Sequence, residues 1–286
     1  MRVLMVGGGS ALGLGKAVAL RLTNDDPITA YEGRDRARRA PAPSIAVPTT
    51  AGSGSEVSNA LVLHDPELER SLVVRGHGYE PEVAILDGEL LVSLPRAPML
   101  FAGLDALSHA LEALWARAAS AMTDALALAA ARQIRTTLPR ALDARDPIDH
   151  QRLLEASAMA NLACGSAGLG LVHALSSATV VRLPHGLQNG VLLPHVAAFN
   201  RAVVSPEASA EVEALGPLLD AVAFVPRFNA ADLPADAADA MTTAALGNPF
   251  RDNNRRSADR RQLQKLLAAA GVPAAVAVPD PVSRAT

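Results

Sequence analysis

The chain has 286 residues, of which half are hydrophobic and only 3% aromatic, and its formal net charge is −3. This length suits one large or two modest domains with a core of alanine, leucine and valine. The charge pattern has no basic block and argues against a nucleic-acid partner, while the lack of an apolar run of about 18 residues argues against a membrane partner. The single cysteine, Cys164, allows no internal disulfide and favours a cytoplasmic protein.

A strand, a glycine-rich turn and a helix are predicted at the N-terminus. Residues 2–6 are typical of a buried strand, Gly-Gly-Gly-Ser follows at 7–10, and a helix is expected from residue 11 to about 22. This order points backbone N–H groups and a helix N-terminus at an anion such as a pyrophosphate. The motif alone also fits an ordinary turn, because Leu12 stands where the GxGxxG pattern has its third glycine.

A second predicted strand, at residues 44–47, runs into a turn rich in hydroxyl groups and glycine at 48–58. Such a turn offers small donors to a phosphate, a ribose or an amide, and a flexible loop is the alternative. Residues 61–63 and 71–74 indicate a hairpin, and residues 83–87 indicate one more buried strand.

The pattern changes to helices after Pro95, which we expect to be a domain boundary. The first domain is then residues 1–95 and the second is residues 96–286, with a tail that is loose from about 272. The predicted helices span residues 102–118, 123–137, 151–164 and 190–199.

An acid and an imidazole share one face of the first of these helices. Asp105 and His109 are four residues apart, so their side chains leave the helix one turn from each other. Burying both without partners is costly, and a divalent metal would remove that cost. A solvated pair is the alternative for these two alone, but His173 and His185 complete a set of one carboxylate and three imidazoles. The four together favour a metal site.

Several short motifs occur in one order along the chain. They are GGGS at 7–10, PTTAG at 48–52, DALSHA at 105–110, GLGLVHALS at 168–176, LPHG at 183–186 and LPHV at 193–196. In this order they resemble the iron-containing (group III) alcohol dehydrogenase family, which includes lactaldehyde reductases, butanol dehydrogenases and maleylacetate reductases. The likeness runs from about residue 3 to 200, with a fainter echo near 247–249.

The resemblance implies an incomplete α/β nucleotide-binding domain followed by an all-α metal-binding domain, the fold shared with dehydroquinate synthase. It implies hydride transfer between a primary alcohol or aldehyde and NAD or NADP, with Fe(II) or Zn(II) as a Lewis acid, and a homo-oligomer. The implied metal ligands are Asp105, His109, His173 and His185. The implied cofactor contacts are Gly8, Gly9, Ser10, Thr49, Thr50, Ser53 and Ser58.

The sequence departs from the family pattern in several places. Family members carry a further α/β segment before the first glycine loop, so the chain is expected to be truncated there and to expose a sheet edge. Gly13 stands where the family has an aspartate, and Ser71 lies near the position of a cofactor-contacting lysine. Ser177 replaces a second histidine near the substrate, and the chain after Asn200 is expected to be abbreviated.

Two other functions stay open at this point. A cyclase related to dehydroquinate synthase would need a lysine-rich pocket for a phosphorylated substrate, but Lys16 and Lys265 are the only lysines. A truncated or inactive homologue that only binds metal is the second alternative.

The sequence predicts structural roles or solvated positions for the other four histidines and for Glu112. His64, His77 and His150 are expected in solvated turns, and His195 is expected to be a hydrogen-bonded core histidine. Glu112 is expected to support a ligand or to lie at the surface.

Overall fold

The computed structural model describes residues 1–65 and 70–274, and its N-terminal part contains two small sheets. The strands are β1 (Val3–Gly7), β2 (Gly33–Arg34), β3 (Ser44–Pro48), β4 (Ala60–Asp65), β5 (Arg70–Arg75) and β6 (Val83–Ala84). The first sheet is parallel in the order β1-β3-β6, and the second has the order β2-β5-β4 with β4 and β5 antiparallel. The predicted strands and hairpin are confirmed, although β6 is shorter than the five residues expected.

Helix α1 (Gly9–Arg21) packs against both sheets. Leu12 contacts the parallel sheet in a small cluster with Met5, and Leu20 contacts the hairpin in a second cluster with Leu61. All four side chains are nearly inaccessible to solvent. Burial of a side chain of this size contributes about 1.5–3 kcal/mol, so α1 joins the two sheets into one packed unit.

Gly13, where the resemblance implies an aspartate, packs closely against the hairpin. A Cβ atom at this position would lie 2.9 Å from the backbone oxygen of Val62 in β4. That distance is shorter than a carbon–oxygen contact tolerates, so an aspartate would push the hairpin away from α1.

The parallel sheet is covered on one face only. Among the described strands β1 pairs only with β3, and Leu4 and Val6 on the outer face are 66% and 55% exposed. Parallel sheets are normally covered on both faces. This sheet presents the open edge expected from the sequence and, in addition, an exposed apolar face.

The part of the chain after Pro95 is helical. The helices are α2 (Arg96–Leu114), α3 (Ala121–Ala144), α4 (Pro147–Ala167), α5 (Leu171–Leu175), α6 (His185–Asn200), α7 (Pro206–Glu213), α8 (Leu215–Ala221), α9 (Ala237–Gly247), α10 (Pro249–Asn253) and α11 (Arg260–Ala269). The four predicted helices are confirmed as α2, α3, α4 and α6, with shifted ends. For example, α4 begins four residues early because Pro147 suits a first helical position and Asp146 caps the Ile148 N–H.

Helix α2 is the centre of the helical part, where it packs against α3, α4 and α6. Every residue from Gly103 to Leu114 is buried, including the fully enclosed Leu104 and Leu111. A helix that is buried on all sides leaves its polar residues no access to bulk water. Any charged group on this stretch must therefore find its partners inside the protein.

The packed part of the chain continues to Val272, which is buried and donates its N–H to the backbone oxygen of Leu267. The rest of the expected tail, from residue 275 onward, lies outside the described residues. The domain boundary at Pro95 stays a prediction. Within the described ranges, none of the helices combines the length and apolarity that crossing a bilayer requires.

We expect the Cys164 thiol to be unreactive in the folded chain. It is 6% exposed on α4 and donates to the backbone oxygen of Asn161 at 3.6 Å, and burial strongly raises the pKa of this thiol. Titration with Ellman's reagent should release thionitrobenzoate only after unfolding in guanidinium. Rapid release from the native chain would contradict the packing of α4.

Candidate functional site

Three ionisable side chains share one buried face of α2. Asp105, His109 and Glu112 follow one another at intervals of four and three residues, which aligns them along the helix. Their exposed fractions are only 7%, 6% and 0%. A carboxylate in such surroundings is costly unless it is paired, so the neighbouring helices must supply partners.

The structure brings three of the four sequence-predicted metal ligands together. The ligand atoms of Asp105, His173 and His185 all lie within 4.8 Å of one another. His173 lies in the middle of α5 and His185 is the first residue of α6, and their Nε2 atoms are 3.8 and 3.7 Å from Asp105 Oδ1. A single cation can contact side chains at this spacing.

His109 lies beside this group. Its Nε2 atom is 4.0 Å from Asp105 Oδ1, and its ring stacks on that of His173 with centroids 4.8 Å apart. Its Nδ1 atom is buried and has no hydrogen-bond partner in the described part of the chain. Burial lowers the pKa of His109 to about 4, so the ring is neutral at neutral pH and retains a free lone pair.

Sequence reasoning missed Asn189, which lies at the centre of the cluster. Its Nδ2 atom is 2.7 Å from Asp105 Oδ1 and 3.1 and 3.0 Å from the Nε2 atoms of His173 and His185. Burial would raise the pKa of Asp105, but the nearby histidines and this amide outweigh it and lower that pKa. The spacing of four residues after His185 on α6 was the available signal.

Glu112 holds the far side of His173. Its Oε2 atom is 2.6 Å from His173 Nδ1, and its Oε1 atom accepts the Val172 N–H at 2.6 Å. Burial lowers the pKa of His173, but the negative charge and hydrogen bond of Glu112 outweigh it and raise that pKa. The expectation of a supporting role fits this geometry, whereas a surface position is wrong because α2 is enclosed at this residue.

The cluster is open to solvent on one side. The side chain of His185 is 54% exposed, whereas those of Asp105 and His173 are 10% and 6% exposed. Ser177 is exposed and donates its hydroxyl to the backbone oxygen of Ala174 at 2.7 Å. A small molecule can therefore approach the cluster from the His185 side.

Two turns meet where β1 and β3 end. The N–H of Thr49 donates to the backbone oxygen of Gly7 at 3.0 Å. A Cβ atom at Gly9 would lie 2.8 Å from the side chain of Ser53, and one at Gly8 would lie 3.2 Å from the hydroxyl oxygen of Thr50. Within the described residues no side chain caps the N-terminus of α1, so its N–H groups are free for an anion.

The second turn also contacts the helices that carry the cluster. Gly52 packs against Ala102 of α2, three residues before Asp105, where a Cβ atom would be 2.8 Å away. The Asn161 amide on α4 donates to the backbone oxygen of Ser53 at 2.9 Å. This packing brings the proposed cofactor turn close to the acid of the proposed metal site.

The other histidines separate into buried and exposed groups. His195 bonds the backbone oxygen of Pro226 at 3.0 Å, in agreement with a structural role, and His77 is exposed. The expectation for His150 is wrong because α4 begins at Pro147 and turns this ring inward, where it is 0% exposed. The side chain of His64 lies outside what the structure describes.

Comparison with protein families settles the family of the chain. Residues 99–271 match the model described as Fe-containing alcohol dehydrogenase family, C-terminal, and residues 2–88 match the model described as iron-containing alcohol dehydrogenase. The chain belongs to the iron-containing alcohol dehydrogenase family. The resemblance drawn from the motifs and the fold class are thereby confirmed.

Individual relatives agree with this assignment. This family member is 36% identical to the probable alcohol dehydrogenase EutG of Salmonella typhimurium, across 94% of this chain and 72% of that protein. It is 38% identical to the NAD-dependent methanol dehydrogenase of Bacillus methanolicus, across 69% of this chain and 53% of that protein. The matched part of the chain thus spans about half the length of the methanol dehydrogenase. It likewise spans 52% of the probable alcohol dehydrogenase EutG of Escherichia coli.

Solved structures show the same fold. A 1,3-propanediol oxidoreductase superimposes with a TM-score of 0.88 at 28% identity, covering 94% of this chain and 76% of that chain. The sulfoacetaldehyde reductase of Bifidobacterium kashiwanohense in complex with NAD+ superimposes with a TM-score of 0.82 at 27% identity, covering 93% of this chain and 75% of that chain.

A buried lysine connects α1 to the end of the second turn. Lys16 is 2% exposed and its Nζ donates to the backbone oxygens of Ser58 and Ala60 at 2.7 and 2.9 Å. Burial lowers the pKa of Lys16 to about 8, although the charges of Glu56 and Glu80 oppose the shift. Burial likewise raises the pKa of Glu56.

We expect replacement of Lys16 by methionine to change the pH dependence of stability. Between the folded pKa of about 8 and the ordinary 10.5, the unfolded chain binds the proton and the folded chain does not, so stability rises with pH. From about pH 7.5 to about pH 9.5 the wild type should gain about 2 kcal/mol relative to Lys16→Met, measured by urea unfolding. The control is Lys265→Met, at an exposed site on α11, whose free energy of unfolding should change with pH as that of the wild type does. If the free energy of unfolding of Lys16→Met also changes with pH as that of the wild type does, a buried Lys16 ammonium is contradicted.

Proposed function

We propose that this chain is a metal-dependent oxidoreductase that transfers a hydride between a primary alcohol or aldehyde and NAD or NADP. The observation that carries the proposal is the convergence of Asp105, His173 and His185, whose ligand atoms lie within 4.8 Å of one another. This cluster adjoins a pair of turns that has the form of a dinucleotide site. Family membership makes the reaction type the expected one.

The donor set fits the proposed ion. Carboxylate and imidazole ligands suit both Fe(II) and Zn(II), and bonds of about 2.1 Å in a tetrahedral shell separate neighbouring ligand atoms by about 3.4 Å. The observed 3.7 and 3.8 Å from Asp105 to His185 and His173 are only slightly wider. We propose His109 as the fourth ligand, because its ring is neutral, as metal binding requires. The Asn189 amide nitrogen lies between Asp105, His173 and His185, the residues that would hold such an ion.

The two turns supply the proposed cofactor contacts. The backbone of the glycine loop and the free N-terminus of α1 suit a pyrophosphate, and the hydroxyl groups of the second turn suit a ribose or the nicotinamide amide. The residues proposed are Gly8, Gly9, Ser10, Thr49, Thr50, Ser53 and Ser58.

Other residues of the chain have further roles in the proposed reaction. When bound, the ion supplies a Lewis acid for the alcohol or carbonyl oxygen. The contact of Gly52 with Ala102 orients the cofactor turn toward the Asp105 end of α2. The exposed side of His185 is the entry for substrate. Ser177, in the place of a histidine, leaves proton exchange to solvent on this open side.

Short primary alcohols are the proposed substrate class. The methanol dehydrogenase and the 1,3-propanediol oxidoreductase among its relatives carry the names of such substrates. A cyclase for a phosphorylated substrate is disfavoured because Lys16 is buried and bonded to two backbone oxygens, and Lys265 is exposed on α11. An inactive metal-binding homologue differs from the proposal only in activity, which the next experiments measure.

We expect alanine at Asp105, His173 or His185 to abolish metal binding, because each removes one of the converging ligands. The purified chain, loaded with Fe(II) or Zn(II), should hold about one ion by elemental analysis and oxidise 1-propanol or 1,3-propanediol with NAD; each variant should lose both properties. The control is His77→Ala, because His77 is exposed while His150 is buried. Equal metal content in all variants and the control would refute the ligand assignment.

We expect Gly9→Ala to weaken nicotinamide binding while leaving metal content unchanged. The new Cβ atom would lie 2.8 Å from Ser53 and force the two turns apart. Titration of NADH fluorescence should give a loss of about tenfold or more in affinity, the scale of a displaced cofactor contact. Gly216→Ala on α8 is the matched control, since no described atom lies within 4 Å of its Cβ position. Equal weakening in both variants would count against the site.

A further inference from the structure

We infer that Glu112 is a positioning residue that holds His173 in the tautomer with hydrogen on Nδ1, so that the Nε2 lone pair faces Asp105 and His185. The inference rests on the proposed function, because it takes the space between His173 Nε2, Asp105 and His185 as the position of the metal. Glu112 is fully buried, and its two oxygens lie 2.6 Å from His173 Nδ1 and 2.6 Å from the Val172 nitrogen.

The Val172 N–H decides the chemistry of this contact. A backbone N–H can only donate, so Oε1 of Glu112 must accept from it. The second oxygen of an ionised carboxylate is also only an acceptor, so it takes a proton carried by His173 Nδ1. A carboxylate is therefore the group that satisfies both donors at once.

The contact at the opposite edge of the imidazole agrees with this tautomer. The Nδ2 atom of Asn189 lies 3.1 Å from His173 Nε2. An amide nitrogen donates, and its two hydrogens are shared among Asp105 Oδ1 and the Nε2 atoms of His173 and His185, so this contact accommodates a lone pair on His173 Nε2. The Glu112 contact therefore specifies the protonation pattern of His173, and the Asn189 contact agrees with it; a metal ligand bound through Nε2 requires the same pattern.

The same carboxylate also fixes the backbone that carries His173. A Cβ atom at Gly170 would lie 3.0 Å from Glu112 Oε1 and 2.9 Å from Asn254 Oδ1, so the chain before α5 passes directly over the carboxylate. Helix α5 has only five residues. Glu112 therefore sets both the distance of α5 from α2 and the direction of the imidazole.

Glu112→Gln tests the inference, because glutamine keeps the shape of the side chain but has a single acceptor oxygen. Whichever way its amide turns, its NH₂ group faces either Val172 N–H or His173 Nδ1–H. The conflict disappears only when His173 moves its proton to Nε2, which then points a hydrogen at the metal position. We expect the tautomer to change and Zn(II) affinity to fall about 10- to 100-fold.

Two measurements separate the outcomes. Nitrogen-15 NMR of histidine-labelled, metal-free chain in mildly alkaline solution reports the tautomer of His173, assigned with His173→Gln. Competition with a chromophoric chelator reports Zn(II) affinity. The matched control is Glu211→Gln, which removes a buried carboxylate that accepts from Arg132 and Arg135 at 3.2 Å each; it should leave tautomer and affinity unchanged.

An Nε2–H tautomer of His173 in the wild type would overturn the inference without any variant. Unchanged tautomer and unchanged Zn(II) affinity in Glu112→Gln would overturn it as well. A wild-type chain with the Nδ1–H tautomer that binds neither Zn(II) nor Fe(II) would refute the proposed function while supporting the role of Glu112 in orienting His173.

Discussion

The buried carboxylate of Asp105 is the constraint on which the rest of the helical part depends. It lies on a helix enclosed on every side, at 7% exposure, where an unpaired charge would be prohibitively costly. Its partners come from other segments: His173 from α5, and His185 and Asn189 from α6. The packing of α5 and α6 against α2 is therefore set by electrostatic need as well as by apolar area.

The N-terminal part is joined to this centre through backbone contacts at small residues. Gly52 lets the second turn touch α2 at Ala102, and the Asn161 amide on α4 holds the same turn through Ser53. At the far end of the turn, Lys16 joins it to α1 through two backbone oxygens. A turn held on three sides can keep the proposed cofactor contacts at a fixed distance from the proposed metal site, as the proposed hydride transfer would need.

The two halves of the candidate site lie in regions that match two different family models. The acid and the imidazoles of the proposed metal site lie within residues 99–271, which match the C-terminal family model. The nucleotide side, within residues 2–88, has Gly13 in contact with the hairpin and a parallel sheet whose outer residues Leu4 and Val6 are exposed. The exposed apolar face thus lies on the side proposed for the cofactor, while the buried cluster beside α2 brings one carboxylate and two imidazoles together.

The sequence alone predicted the longer strands, helix α1, four of the later helices and the donor types. Strands and helices follow from local periodicity, and the spacing of Asp105 and His109 puts both on one helix face whatever surrounds them. Tertiary structure decided that His109 stands beside the cluster, that Asn189 lies at its centre, and that Glu112 bonds His173. Those contacts join residues up to 84 positions apart, and local sequence patterns carry no information on how distant helices approach one another.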